Sequence, residues 1–133
     1  MERKVSELIR IGEINPSLAR FRRYRDHAKD LERRKSRTPS TPVQRSRWAT
    51  IDEEHEAVLD DAWREIEVIA EWYGGFAAEL VSRHFLFLED WHDIASDTGL
   101  THDRAKKAAY RALVWLQMWK DARLPPYNDW DPR

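Results

Sequence analysis

Residues 90–116 read Asp90-Trp91-His92-Asp93-Ile94-Ala95-Ser96-Asp97-Thr98-Gly99-Leu100-Thr101-His102-Asp103-Arg104-Ala105-Lys106-Lys107-Ala108-Ala109-Tyr110-Arg111-Ala112-Leu113-Val114-Trp115-Leu116. The spacing is that of a helix-turn-helix. Ala95 is small where two helices cross closely. Gly99, four residues on, supplies the positive φ of a tight interhelical turn. Leu100 plugs that turn into a core, and Thr101 caps the second helix by accepting from backbone N–H groups near Arg104. Ile94, Leu100, Ala105, Ala108, Ala112 and Leu113 then face inward. The face left over carries His102, Asp103, Arg104, Lys106, Lys107, Tyr110 and Arg111. Such side chains reach base edges and phosphates when a helix enters a major groove.

Upstream, apolar residues again recur at helical spacing. Val58, Leu59, Ala62, Trp63, Ile66, Ile69, Ala70 and Tyr73 have a period near 3.6, ended or bent by Gly74-Gly75. Thr50 followed by Glu53 reads as a capping box for that helix. A further helix carries Phe76, Ala77, Leu80, Val81, His84, Phe85 and Leu88. Nearer the start, Asn15-Pro16 caps and opens a helix with Leu18, Phe21, Ala28 and Leu31 as a thin stripe, running to about Lys35. Val5, Leu8, Ile9 and Gly12 mark a short helix over 2–13 with a poor stop. Residues 36–50, rich in Ser and Thr and holding Pro39 and Pro42, read as a linker. Residues 123–133 are not helical and offer Tyr127 and Trp130 for packing.

The expected architecture is all-α: a helical bundle with a C-terminal helix-turn-helix and a charged N-terminal helical arm. The units are a basic helical arm over 1–35, the linker over 36–50, a helical domain over 51–122 with the helix-turn-helix at 90–119, and an extended tail over 123–133.

Charge is unevenly spread. Net charge is −1, yet residues 1–50 hold fourteen Lys/Arg against six Asp/Glu, and residues 51–133 hold nine against eighteen. Nine of those acids lie between Ile51 and Glu71, with Arg64 as the lone cation. The two halves can attract each other within or between chains, or the basic half can lie along phosphates. Arg20, Arg22, Arg23, Lys29, Arg33, Arg34 and Lys35 would be the backbone-contacting residues of such an arm. The plainer reading of each charge run is a solvated face.

Several classes are excluded. With no cysteine there is no disulfide framework and no thiolate zinc site. Four glycines do not make a glycine-rich dinucleotide fold. No apolar run approaches the roughly 18 residues of a membrane span, and no signal-peptide stretch follows Met1-Glu2-Arg3-Lys4, so a cytoplasmic protein is expected. Asp52-x-x-His55 and Glu89-x-x-His92 have a spacing used in di-iron bundles, but two further inward carboxylates would be needed. His27, His84 and His102 are scattered. No activated nucleophile is apparent, so neither enzyme activity nor a metal or cofactor is expected. Among the seven tryptophans, Trp63, Trp91, Trp115 and Trp119 suit a core, while Trp48 stands apart in a basic stretch where it could anchor a partner or stack on a base.

The succession of Leu80–Leu88, Trp91, Ile94-Ala95, Gly99-Leu100-Thr101 and a basic helix closing in Ala112-Leu113 resembles region 4 of bacterial sigma factors. It is closer still to the small phage-encoded transcriptional regulators of the RinA and ArpU type. The likeness covers about residues 55–118, and departs from the family's pattern in Ala108-Ala109 and Asp103. It implies binding of double-stranded DNA near a promoter, with Thr101, His102, Arg104, Lys106, Lys107 and Arg111 at recognition positions, and contact with RNA polymerase. Tyr110 joins them on the helix face, and a homodimer would double the base pairs read. The competing expectation is a protein-interaction module, such as a phage anti-defence protein, that docks on RNA polymerase or another nucleoprotein complex. The acidic segment 51–71 favours it.

Overall fold

A computed structural model describes residues 15–35, 37, 39 and 41–121. Among these the chain is helical throughout, with α1 at Pro16–Lys35, α2 at Pro42–Trp72, α3 at Gly75–Phe85, α4 at Trp91–Thr98 and α5 at His102–Lys120. No strand occurs among the described residues. The helix expected over 2–13 and the tail over 123–133, with Tyr127 and Trp130, lie outside them.

Asn15 opens α1 as its side chain allows: Oδ1 accepts from the Ser17 N–H at 2.9 Å. The apolar stripe of Leu18, Phe21, Tyr24 and Ala28 is buried. Phe21 is fully covered and meets Tyr24 and Phe85 edge-on at 5.0 and 5.8 Å between ring centroids. Over its described residues the first segment is therefore no projecting arm. A stripe this apolar is held by the other helices, and α1 packs on α2, α3 and α5.

The start of α2 corrects the expected linker. Thr41 Oγ1 accepts from the Gln44 N–H at 3.1 Å, and Pro42 occupies the first turn, where its missing N–H costs nothing. No proline or glycine follows until Gly74, so the helix runs on through residues 43–50. Thr50, expected as the cap, lies inside the helix and donates to the Ser46 carbonyl at 3.2 Å. The 31 residues of α2 span about 46 Å at 1.5 Å per residue.

The core is formed by Ile66, Ile69, Leu80, Val81, Phe85, Ile94, Leu113, Trp115 and Leu116 together with the α1 stripe. Trp91 and Trp115 are buried, and Trp119 stacks on Trp115 at 6.4 Å. Trp63 is not a core residue: it is 38% exposed and its ring meets exposed Phe87 at 5.6 Å.

Two polar assemblies lock the bundle. Glu65 on α2 accepts from Arg20 and Tyr24 on α1 and from Lys120 on α5, the last at 2.9 Å. Burial pushes its carboxyl up, but the hydrogen bonds from Arg20, Tyr24 and Lys120 outweigh that and hold it below the ordinary 4.5. Burial and the Glu65 carboxylate push the Tyr24 phenol up to about 12. Alongside, Ser17 Oγ donates to Gln117 Oε1 at 2.9 Å and ties the start of α1 to the end of α5. The second assembly is Arg83. It makes a two-pronged bond to Glu89 at 2.7 and 2.8 Å and reaches Asp97 at 2.7 Å, clamping the α3–α4 turn to α4. Leu88 in that turn adopts φ 62°, a conformation more usual for glycine or asparagine.

Candidate nucleic-acid interface

The junction between α4 and α5 follows the local chemistry of its sequence. Asp90 Oδ1 caps α4 by accepting from the Asp93 N–H at 2.8 Å. Gly99 ends it in the left-handed region at φ 74°. Thr101 Oγ1 caps α5 by accepting from the Arg104 N–H at 3.1 Å. Ile94, Ala95, Ala105, Ala109, Ala112 and Leu113 are buried between the two helices and the rest of the core.

The expected site residues fall into three groups. Thr101, His102, Arg104 and Arg111 are exposed. Lys106 and Lys107 are half-buried. Lys107 pairs with Asp103 one turn back at 2.8 Å, and Lys106 lies 5.5 Å from the Tyr110 ring centroid. Tyr110 is the exception. It is 8% exposed and packs edge-on against Trp91 at 6.3 Å, so it serves the core and supports Lys106 rather than offering a base-reading side chain.

The residues expected of a backbone-contacting arm are similarly divided. Arg20 is held by Glu65, and Arg34 by Asp52 at 2.7 Å and the Trp48 ring at 4.5 Å. Neither presents a free cation, because the acidic α2 lies directly beside α1 and satisfies them. The expectation that the two oppositely charged segments attract within one chain is thus met at these two positions. Arg22 and Arg23 are exposed, and Lys29 is half-buried. Arg33 and Lys35 are exposed and make loose pairs with Asp30 and Glu32 at 3.5 and 3.6 Å.

Arg22, Arg25 and Lys29 recur at i, i+3 and i+7 along one edge of α1. That edge meets α3 and α5 at His84. Arg25 donates from Nε to the His84 carbonyl at 3.2 Å. The His84 ring stacks on Trp91 at 4.0 Å, and its Nδ1 lies 2.9 Å from the Glu89 carbonyl, which fits a neutral ring donating there. Burial is the main force that lowers its pKa to about 4; the hydrogen bond to Glu89 opposes this, and the nearby charges of Arg25, Lys106 and Lys29 assist it. One imidazole therefore registers cations from both α1 and α5. Arg25 escaped the sequence reading, although its three- and four-residue spacing from Arg22 and Lys29 placed it on their face.

The carboxylate–histidine pairs do not converge. Asp52 is engaged by Arg34, His55 Nδ1 faces His27 Nδ1 at 2.7 Å, and Glu89 is engaged by Arg83. Among the described residues no group of three or more His, Asp or Glu side chains is placed to hold a metal ion. No helix among them is long and apolar enough to cross a membrane. Comparison with family models, curated proteins and solved structures returns no significant match.

Proposed function

We propose that this chain is a DNA-binding transcriptional regulator that places α5 in the major groove of duplex DNA, with α4 as the supporting helix of a helix-turn-helix. The observation that carries this reading is the exposed cationic face of α5 behind its capped start, where Arg104 and Arg111 stand exposed with Lys107 between them. On another side of α5, Lys106 shares the surroundings of His84 with Arg25 and Lys29 of α1. The residues near the capped N-terminus of α5 are where such helices meet base edges. His102 and Arg104 are the candidates for base contact; Lys106, Lys107, Arg111 and the α1 edge are the candidates for phosphate contact. The resemblance to sigma region 4 and to RinA- and ArpU-type phage regulators supports the same assignment. On this reading RNA polymerase and a second copy of the chain are the natural protein partners.

The test is fluorescence anisotropy of labelled random duplex across a salt series. Engaging about six phosphates gives a log–log salt slope near −5. Lys107→Ala with Arg111→Ala should weaken binding and flatten the slope by about 2. A duplex that stays free at low salt would refute the reading.

A specific observation favours a protein-docking role as the second reading. Phe87 is 63% exposed, rests on half-exposed Trp63, and is followed by Leu88 in its unusual conformation. Aromatic pairs of this kind are common anchors in protein interfaces. Asp60 and Glu67, three residues before and four after Trp63 on α2, suit a basic partner segment. Loss of partner binding in Phe87→Ala, with DNA binding absent in the parent, would establish that reading instead.

A further inference from the structure

We infer that the cavity between the end of α1 and the start of α2 is a binding site for a nucleoside phosphate. The inference is independent of the DNA-binding reading, because the cavity is lined by none of Arg22, Arg25, Lys29 or the α5 residues on which that reading rests. It has a volume of about 330 Å³, at the lower end of the roughly 300–1,000 Å³ that small-molecule sites occupy.

Its walls divide by chemistry. Trp48 and Ile51 on α2 form an apolar side. Arg33, Arg34 and Arg37 form a cationic side, with Asp30 as the single acid lining the cavity. Arg34 has a supporting part. Its Nε bonds Asp52 at 2.7 Å, its terminal nitrogen reaches the Trp48 carbonyl at 3.4 Å, and its guanidinium covers the indole at 4.5 Å. Trp48 is thereby held in place before any ligand arrives, which lowers the ordering cost of binding. His55 is similarly fixed through its 2.7 Å contact with His27.

The other two arginines are positioned to take an anion. Arg37 continues the last turn of α1 through its N–H bond to the Arg34 carbonyl at 3.1 Å, and no ion pair engages its guanidinium among the described residues. Arg33 is exposed and makes a loose ion pair with Asp30 at 3.5 Å. Such a pair contributes little and yields readily to a doubly charged phosphate. A base packed against the apolar wall of Trp48 and Ile51, with a phosphate held by guanidinium forks, is the chemistry of a nucleotide. The same chemistry belongs to a free mononucleotide and to the 5′-phosphorylated end of a strand.

The test follows the Trp48 indole N–H signal in nitrogen-edited NMR spectra of the full chain, assigned by its loss in Trp48→Phe. AMP, adenosine, inorganic phosphate and a 5′-phosphorylated single-stranded oligonucleotide are titrated at constant ionic strength. AMP is expected to move the signal along a saturating curve and to bind at least tenfold more tightly than adenosine or phosphate alone. Arg33→Ala with Arg37→Ala should weaken AMP at least tenfold, Arg33→Lys with Arg37→Lys should recover part of it, and Arg104→Ala with Arg111→Ala should leave it unchanged. Preference for the oligonucleotide over AMP assigns the site to strand ends; preference for AMP assigns it to free nucleotide. An unmoved Trp48 signal in the parent protein, AMP binding no tighter than inorganic phosphate, or equal AMP affinity in the folded arginine-to-alanine variant overturns the inference.

Discussion

Replacing Glu65 breaks the junction that sets α1 against α5, and so tests what aligns the two cationic edges. Its carboxylate accepts from Arg20 Nε at 3.0 and 3.1 Å, from Lys120 Nζ at 2.9 Å and from the Tyr24 hydroxyl. The Glu65 side chain is 10% exposed, while those of Arg20 and Lys120 are 20% and 39% exposed. Removing one partner of a fully buried ion pair costs about 3–5 kcal/mol; the partial exposure of both cations reduces that here to about 2–4 kcal/mol for Glu65→Ala. Glu65→Gln keeps the shape and one acceptor and should cost about half as much. Urea unfolding followed by circular dichroism at neutral pH measures both. The sign of the pH dependence is fixed as well. The folded-state pKa of Glu65 lies below the ordinary 4.5, so its contribution is complete above that pH and disappears as pH falls through the folded value. The stability gap between the parent and Glu65→Gln should therefore narrow in acid. A Glu65→Ala protein within 0.5 kcal/mol of the parent (about the scatter for surface substitutions), or a gap that stays constant into strong acid, refutes the reasoning.

Other substitutions address single links of the account. Gly99→Ala should cost about 1–2 kcal/mol from its φ of 74° alone, because an added Cβ meets nothing within 4 Å; a larger loss in denaturant melts would point to a clash the geometry lacks. Thr101→Ala removes the cap of α5 and should cost about 1 kcal/mol, while Thr101→Ser should restore it. Phe21→Ala should cost about 3–5 kcal/mol, since the ring is fully buried; a mild effect in the same assay would show that α1 is not part of the core. His84 is held neutral by burial, with a pKa near 4 against the usual 6.5. The unfolded chain binds that proton first, so this residue should erode stability as pH falls from 6.5 towards 4, and His84→Gln should flatten the profile in that window.

The helical class and most of the core could be read directly from spacing, because a buried helix face repeats at three and four residues whatever it packs against. Leu18, Phe21, Ile66, Ile69, Leu80, Ile94 and Leu113 announced themselves in this way. The turn at Gly99 and the cap at Thr101 were equally legible, since their causes are local. The start of α2 was not. Thr41 and Thr50 both carry a capping hydroxyl, and a Ser- and Pro-rich tract disguised the fact that Pro42 sits where a proline opens a helix. The fate of individual cations was also out of reach. Arg20, Arg34, Arg22 and Arg23 look alike along the chain, and only the placement of Glu65 and Asp52 across the α1–α2 interface separates the paired from the exposed. Tyr110 likewise lay on the outward side of an isolated helix until Trp91 covered it. Phe87 stood outside the apolar pattern of α3, which continued to Leu88, and it falls beyond the helix end at Phe85, where the helical period no longer directs a side chain inward.

The most direct test of the central claim is a residue-by-residue map of where duplex DNA touches the folded chain. Backbone amide shifts recorded as a short random duplex is added, at about 50 mM salt to preserve electrostatic contacts, should move at His102, Arg104, Lys107 and Arg111 and along Arg22, Arg25 and Lys29. Shifts confined to other faces, such as Trp63 and Phe87, or no shifts at all, would contradict it.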